Sequence, residues 1–332
     1  MPTERKLSVF FGFPVYGCTG GPPTVVASLL TYMTRAYAHL YHARESGKDK
    51  RLGSFSMDFA SDTPATLTRN RLVKMAREAE ADVLVMLDSD QDMLLHTTDF
   101  DFKPWFDSCF DFIYNNYDKG PHVIAAPYCG PPTGDHENMF VFRWRIQSDR
   151  GRETMYHLDQ YTREEAALMS GICEAAALPT GAIMYDMRCF DLIEPPYFRY
   201  EYKDKYETEK MGTEDVTNTR DISIAGLLKY GYNPVYCNWD SPVGHWKPWL
   251  VPGRPKVYSA ACVSKSLQKA ILDNIQPADR LTDCADSRLL PKPASREAFI
   301  AEPEVLRGSQ KLDGTSVLLK ALGNGHALPV SH

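Results

Sequence analysis

Five apolar residues in succession, Val83-Leu84-Val85-Met86-Leu87, are followed at once by Asp88-Ser89-Asp90. A strand with one face in water alternates polar and apolar side chains, so an unbroken apolar run predicts a strand covered on both faces. Strands of that kind belong to α/β folds, with helices packed on either side of a sheet. The residues just before the run agree. Leu72, Val73, Ala76 and Ala79 recur at helical spacing after Thr63, expected as the N-cap, and Pro64, expected in the first helical position. Asp88 and Asp90 therefore fall where a buried strand leaves its sheet, the end at which open α/β sheets bind ligands.

The start of the chain repeats this grammar. Leu7 to Phe13 reads as a strand ended by Pro14, and Gly17 to Pro23 as a glycine- and proline-rich loop. Val25, Val26, Leu29, Leu30, Met33, Tyr37, Leu40 and Tyr41 then fall at helical spacing, with Thr24 as N-cap and Gly47 as stop. Further strands are predicted over Val123 to Ala126, Ala182 to Tyr185 and Pro234 to Cys237. Polar stretches from Gly130 to Arg152 and from Arg199 to Lys210 are candidates for acceptor-binding loops or lids. After about Tyr258 the periodicity weakens to one helical stretch near Ser264 to Ile275, so we divide the chain into residues 1–258 and an extension over 259–332 that is helical or irregular.

With 332 residues, 43% of them hydrophobic, the chain is long enough for a sizeable core. A net charge of -6 gives no global attraction to nucleic acid. Leu7 to Phe13 is too short for a signal peptide or a membrane span, and no other stretch approaches bilayer length, so the expected location is the cytoplasm. The eight cysteines show neither CxxC pairs nor zinc spacing and are expected to be reduced and mostly buried.

Two carboxylates released from a buried strand can offer oxygen ligands to Mg²⁺ or Mn²⁺ while the ion bridges a diphosphate. This suits glycosyl transfer, where charge builds on the leaving phosphate as the sugar departs. Taken alone, Asp-Ser-Asp is also a common turn sequence. Its setting supplies the rest of the signal. The stretch RNRLVKMAREAEADVLVMLDSD, Arg69 to Asp90, resembles the donor-binding core of GT-A-type glycosyltransferases, with their DxD motif. Three later stretches follow in that superfamily's order: LPTGAIMYDM from Leu178, GTEDVTNTRDISIAGLLKYGY from Gly212, and VGHWKPW from Val243. Together the matching stretches span roughly residues 7–249, and they are similar to those of soluble phage or bacterial glycosyltransferases, some of which modify DNA.

The resemblance implies a GT-A (nucleotide-diphospho-sugar transferase) fold, a mixed and mostly parallel sheet flanked by helices, with residues 1–258 as the catalytic domain. It implies a hexosyltransferase with a nucleotide-sugar donor, a UDP-sugar, and Mn²⁺ or Mg²⁺ as cofactor. Asp90 and His245 become metal ligands, with Asp88 near the ribose or on the metal through water. Pro14, Tyr16, Arg69, Asn70, Asp88, Ser89 and Lys247 become donor contacts, and Thr180 and Gly181 lie on the acceptor side. Glu214 and Asp215 are candidates for the base that takes the acceptor proton. Asp221 competes with Asp215, because its distance to Gly231-Tyr232 better fits the family's spacing, and one of the two is expected to cap a helix beginning near Asp221. The acceptor stays open among a glycan, a small molecule, a protein and a hydroxymethylated DNA base. For the last, Arg143, Arg145, Arg150 and Arg152 around Trp144 offer an electrostatic and stacking surface, or else a solvated charged loop. Should the protein be viral, its cytoplasm is the host's. A nucleotidyltransferase would carry a basic residue in the Gly17 to Pro23 loop, and none is there. A non-catalytic module would have lost Asp88, Asp90, Glu214, Asp215 or His245, and all are present.

Overall fold

The computed structural model describes residues 5–15, 34–35, 37–61, 64–93, 103–129, 139–147, 155–203, 210–246, 250–251, 296 and 299–300. The strands are β1 (Leu7–Pro14), β2 (Leu52–Ala60), β3 (Val83–Leu87), β4 (Gln91–Asp92), β5 (Val123–Ala125), β6 (Phe142–Gln147), β7 (Met155–Gln160), β8 (Ile172–Glu174), β9 (Ala182–Asp186), β10 (Glu201–Tyr202), β11 (Lys210–Gly212), β12 (Val235–Asn238), β13 (Gly244–Trp246), β14 (Leu250–Val251) and β15 (Phe299–Ile300). We number four helices: α1 (Ala65–Glu78), α2 (Lys103–Asn116), α3 (Arg163–Ala167) and α4 (Glu214–Tyr230). Residues 37–45 are helical as well.

Seven strands form the main sheet in the order β2-β1-β3-β9-β5-β12-β8. β1 is parallel to β2 and β3, and β12 is parallel to β5. β9 runs antiparallel between β3 and β5, and β8 is antiparallel to β12 at the edge. The sheet is therefore mixed, with β8 and β9 reversed against the other five strands.

The unbroken apolar run of β3 is explained by what covers it. Leu84 and Met86 face one core with Leu72, Val73 and Ala76 of α1. Val83, Val85 and Leu87 face a second core with Phe106, Cys109, Phe110 and Ile113 of α2. Burying each large aliphatic side chain stabilises the fold by roughly 1.5–3 kcal/mol, so a polar residue on either face of β3 would cost stability. The edge strand β2 shows the opposite pattern, with exposure alternating along much of its length. A third cluster joins β6 and β7 to α4 through Trp144, Tyr156, Leu158, Ile224 and Leu227.

The structure moves several expected boundaries. β1 continues through Pro14, which pairs with Ala60; pairing with β3 has ended at Gly12, so the missing proline N–H at the strand's last residue costs no ladder bond on that side. Pro64 caps α1 rather than opening it, and Thr63 lies outside the described residues. α4 begins at Glu214, so Asp221 sits in mid-helix and caps nothing; Thr213 holds the N-cap position. The helix ends at Gly231, whose φ of 74° is the left-handed conformation that glycine adopts without steric cost. The extension over 259–332 is described only at Arg296 and at β15, which adds a parallel strand to β7. Cys109, Cys129, Cys173, Cys189 and Cys237 are free and buried, as expected. Among the described residues no helix is long and apolar enough to cross a membrane.

Candidate functional site

β3 delivers Asp88 to the end of the sheet, and two backbone hydrogen bonds fix it there. Asp88 N–H donates to the Gly181 carbonyl at 2.8 Å, and Gln91 N–H donates to the Asp88 carbonyl at 3.1 Å, closing a turn with Ser89 and Asp90 at its tip. The turn runs into β4, whose Gln91 and Asp92 pair with His245 and Gly244 of β13. This short ladder brings His245 to Asp90, with Nε2 3.1 Å from Oδ2. The imidazole is held from its other side by Tyr128, with ring centroids 4.8 Å apart, while the Gln91 amide donates to Asp90 Oδ1 at 3.2 Å.

Arg69 enters from α1 and is buried at 2% exposure, so it is not a solvated helical arginine. Its guanidinium donates to Asp88 Oδ2 at 2.7 Å and to the Thr180 carbonyl at 3.2 Å, and its Nε lies 4.0 Å from Glu214 Oε1. One side chain thus ties together α1, the end of β3, the start of β9 and the first turn of α4. Burial pushes the Asp88 carboxyl up to about 7; Arg69 pulls it down and the neighbouring Asp90 and Asp215 charges add to the rise. Both protonation states of Asp88 are therefore within reach near neutrality.

Glu214 and Asp215 occupy the first turn of α4, where the helix dipole favours negative charge. The Asp215 charge reaches Asp88, Tyr128 and Tyr200, raising the pKa of each after burial has done so. Buried polar atoms without hydrogen-bond partners gather in the same place: Asp88 Oδ1, Gln91 Oε1, Thr180 Oγ1 and His245 Nδ1. Native interiors carry few such atoms, and a cluster of them marks a surface made to meet polar groups of something else.

The donor set suits a divalent cation of the Mn²⁺ type in part. Asp90 Oδ2 and His245 Nε2, 3.1 Å apart, are spaced like neighbouring ligands of one ion, and Asp88 Oδ1 is an orphaned carboxylate oxygen nearby. Among the described residues no three His, Cys, Asp or Glu groups form a ready-made metal centre. An ion held by two side chains that takes its remaining ligands from water and phosphate fits this arrangement.

Other expectations fare differently. Ser89 lies at the tip of the turn and is half-buried. Thr180 and Gly181 form the wall beside Arg69 and Asp88, and a Cβ on Gly181 would come within 2.6 Å of the Gln91 amide and 2.9 Å of the Tyr128 hydroxyl. Asn70 turns away from ligand duty: its amide donates to the Thr66 and Phe198 carbonyls and accepts the Phe198 N–H. Asp221 stands apart from this group, buried among Arg199 and Arg220. Tyr16 and Lys247 lie outside the described residues, as do Arg150 and Arg152. Arg143 and Arg145 are neither a stacking surface nor a solvated loop. They sit on β6, both bonded to Asp159, and Arg143 also reaches Glu165. Trp144 between them is buried and donates to Ser223. Sequence reasoning missed Gln91, Tyr128 and Tyr200. Tyr128 follows the end of β5, so the rule that singled out Asp88 would have found it too.

No protein-family model matches the chain, and no match is found among the curated proteins. Among solved structures it is similar to A197 from STIV, at 11% identity over 74% of this chain and 94% of that one, with a TM-score of 0.40. It is similar also to HddC from Yersinia pseudotuberculosis, at 10% identity over 77% and 98% with a TM-score of 0.28. An apo UDP-glucose pyrophosphorylase gives 10% identity over 80% and 99% with a TM-score of 0.31. At these scores none of the three bears on what this chain does.

Proposed function

We propose that the chain is a metal-dependent glycosyltransferase of GT-A type, which moves a sugar from a nucleotide-sugar donor, a UDP-sugar, to an acceptor hydroxyl. The observation that carries this reading is the meeting of Asp90 with His245 at the end of β3, beside the carboxylates that open α4. It joins the Asp-Ser-Asp and Gly-His-Trp stretches, which the resemblance alone could only place in order. The mixed seven-stranded sheet supports the reading too, since its ligand-binding end is where these residues collect.

Asp90 and His245 would hold Mn²⁺ or Mg²⁺, with the orphaned oxygen of Asp88 nearby, and the ion would supply charge neutralisation for the leaving diphosphate. Arg69 holds Asp88 in place and, by its own charge, moderates the cost of gathering carboxylates. Glu214 or Asp215, both partly buried in the first helical turn, accepts the proton of the attacking hydroxyl.

The test is thermal stabilisation by UDP and UDP-sugars with and without Mn²⁺. Stabilisation that needs both is expected. Asp90→Ala should remove it and lower transfer by about 100-fold or more, roughly 2.7 kcal/mol. Full activity in that variant, or no nucleotide effect in the native protein, would sink the proposal.

A further inference from the structure

Building on the metal-dependent reading of the site, we infer that Gln91 is a positioning residue, which fixes how Asp90 meets the cation and so sets a preference for Mn²⁺ over Ca²⁺. Gln91 opens β4 and is fully buried. Its backbone is tied on two sides: the N–H donates to the Asp88 carbonyl at 3.1 Å, and the residue pairs with His245 across the β4–β13 ladder. The side-chain amide donates from Nε2 to Asp90 Oδ1 at 3.2 Å, while Asp90 Oδ2 lies 3.1 Å from His245 Nε2. Each oxygen of the carboxylate thus has its own partner.

The room for that amide is made by a glycine. A Cβ at Gly181 would sit 2.6 Å from Gln91 Nε2 and 2.7 Å from its Cδ, so a side chain there would push the amide off Asp90. The Gly181 carbonyl accepts the Asp88 N–H, so the amide packs against the same backbone that fixes the Asp-Ser-Asp turn.

Three other amide side chains are buried as deeply, and each is bonded at both ends. Asn218 accepts from the Tyr185 hydroxyl and donates to the Tyr197 carbonyl. Asn233 accepts from the Val235 N–H and donates to the Ala175 carbonyl. Asn238 accepts from the Asp240 N–H and donates to the Ser108 hydroxyl. Gln91 differs, because its Oε1 has no partner. A buried carbonyl without a donor costs stability, so Gln91 serves the fold poorly; its bonded end, on Asp90, is the reason for the residue.

When a cation takes Asp90 Oδ2 and His245 Nε2, those two atoms cease to bond each other, and the Gln91 amide still restrains the carboxylate through Oδ1. Asp90 then offers one oxygen beside a ring nitrogen. Mn²⁺ accepts such a mixed pair, whereas Ca²⁺ takes about six to eight oxygen ligands and commonly uses both oxygens of a carboxylate. An apolar side chain at position 91 would release Asp90 to turn and offer both.

The experiment uses the full chain with UDP and reads free Mn²⁺ by electron paramagnetic resonance, against the same UDP without protein, with Ca²⁺ titrated as competitor. Gln91→Leu keeps the bulk and removes the amide. It should raise the Mn²⁺ Kd by about tenfold or more and leave the Ca²⁺ Kd within about twofold of native, with the metal-free urea midpoint at or above the native value. Gln91→Met is measured alongside and decides the matter if the Leu variant does not fold. An unchanged Mn²⁺ Kd, or equal weakening of both ions, would overturn the role of Gln91; loss of Mn²⁺ in Asp90→Ala would then leave the glycosyltransferase reading standing. No Mn²⁺ bound by the native protein would overturn that reading, and the Gln91 inference with it.

Discussion

Two groups of buried charges stand along α4, and they are organised in opposite ways. Around Asp221 in mid-helix, acids and bases interlock: Arg220 bonds both Asp221 and Glu201, and Arg199 bonds Asp221. None of the buried side-chain atoms of these four residues is left without a hydrogen-bond partner. At the helix start, Arg69 faces Asp88 and Glu214 with Asp90 and Asp215 close by, and Asp88 Oδ1 and Thr180 Oγ1 find no partner. The first group is complete by itself and holds Arg199, Glu201 and α4 together. The second keeps an excess of acid and open valences that a ligand or an ordered water can satisfy. Burial of charge alone does not mark a site; what distinguishes this one is that several unpartnered atoms collect beside an excess of acid.

Asp221→Ala is the strongest way to break the comparison. Removing Asp221 from this network leaves Arg199 and Arg220 to share Glu201 alone, with an expected loss of about 3–5 kcal/mol in urea unfolding. The variant should still bind donor to the extent that it folds. A change below about 1 kcal/mol would mean that the mid-helix cluster is not structural.

The Asp88 side predicts a pH dependence of the opposite kind. Its folded pKa of about 7 lies above the ordinary carboxylate value, so the native state keeps a proton that the unfolded chain has released. Stability from this group is fully present below about pH 4 and is lost as pH rises toward and through 7, by something on the order of 2–4 kcal/mol. In metal-free protein, Asp88→Asn should flatten that slope, and Asp221→Asn should not. Equal slopes in the native protein and Asp88→Asn would show that the site tolerates its charge after all.

The smallest expected effect comes from Gly181→Ala. The added methyl meets the Gln91 amide and the Tyr128 hydroxyl, both packed at the site, for a stability loss of about 1–3 kcal/mol and weaker donor-induced stabilisation. Unchanged donor binding would place the Gly181 wall outside the site.

Much of the frame could be read from the chain because local pattern decides it. Val83–Leu87 matched its predicted strand, and Val123–Ala125, Ala182–Asp186 and Val235–Asn238 lay within a residue or so of expectation. An apolar run, however, does not encode its neighbour, so the reversal of β9 between β3 and β5 was invisible. The start of α4 was misplaced because Asp221 resembles an N-cap, whereas the partly buried Arg199 that helps keep this aspartate inside the helix lies 22 residues away. Arg143 misled for the same reason, its counter-charges Asp159 and Glu165 lying 16 and 22 residues away. Asp88, Asp90 and His245 were legible as candidates, but the Arg69 bridge from Asp88 to Thr180 and Glu214 depends on how helix and sheet pack, which residue order does not state.

The two-residue ladder between β4 and β13 has a consequence for how the protein comes into being. Asp90 and His245 are 155 residues apart in sequence, and their contact depends on those few backbone pairs. A ribosome that has made β1 through β9 has made most of the scaffold and Asp90, but no complete pair. β12, which joins β8 to the rest of the sheet, is made only shortly before His245, so sheet and site are completed almost together and a prematurely ended chain holds neither.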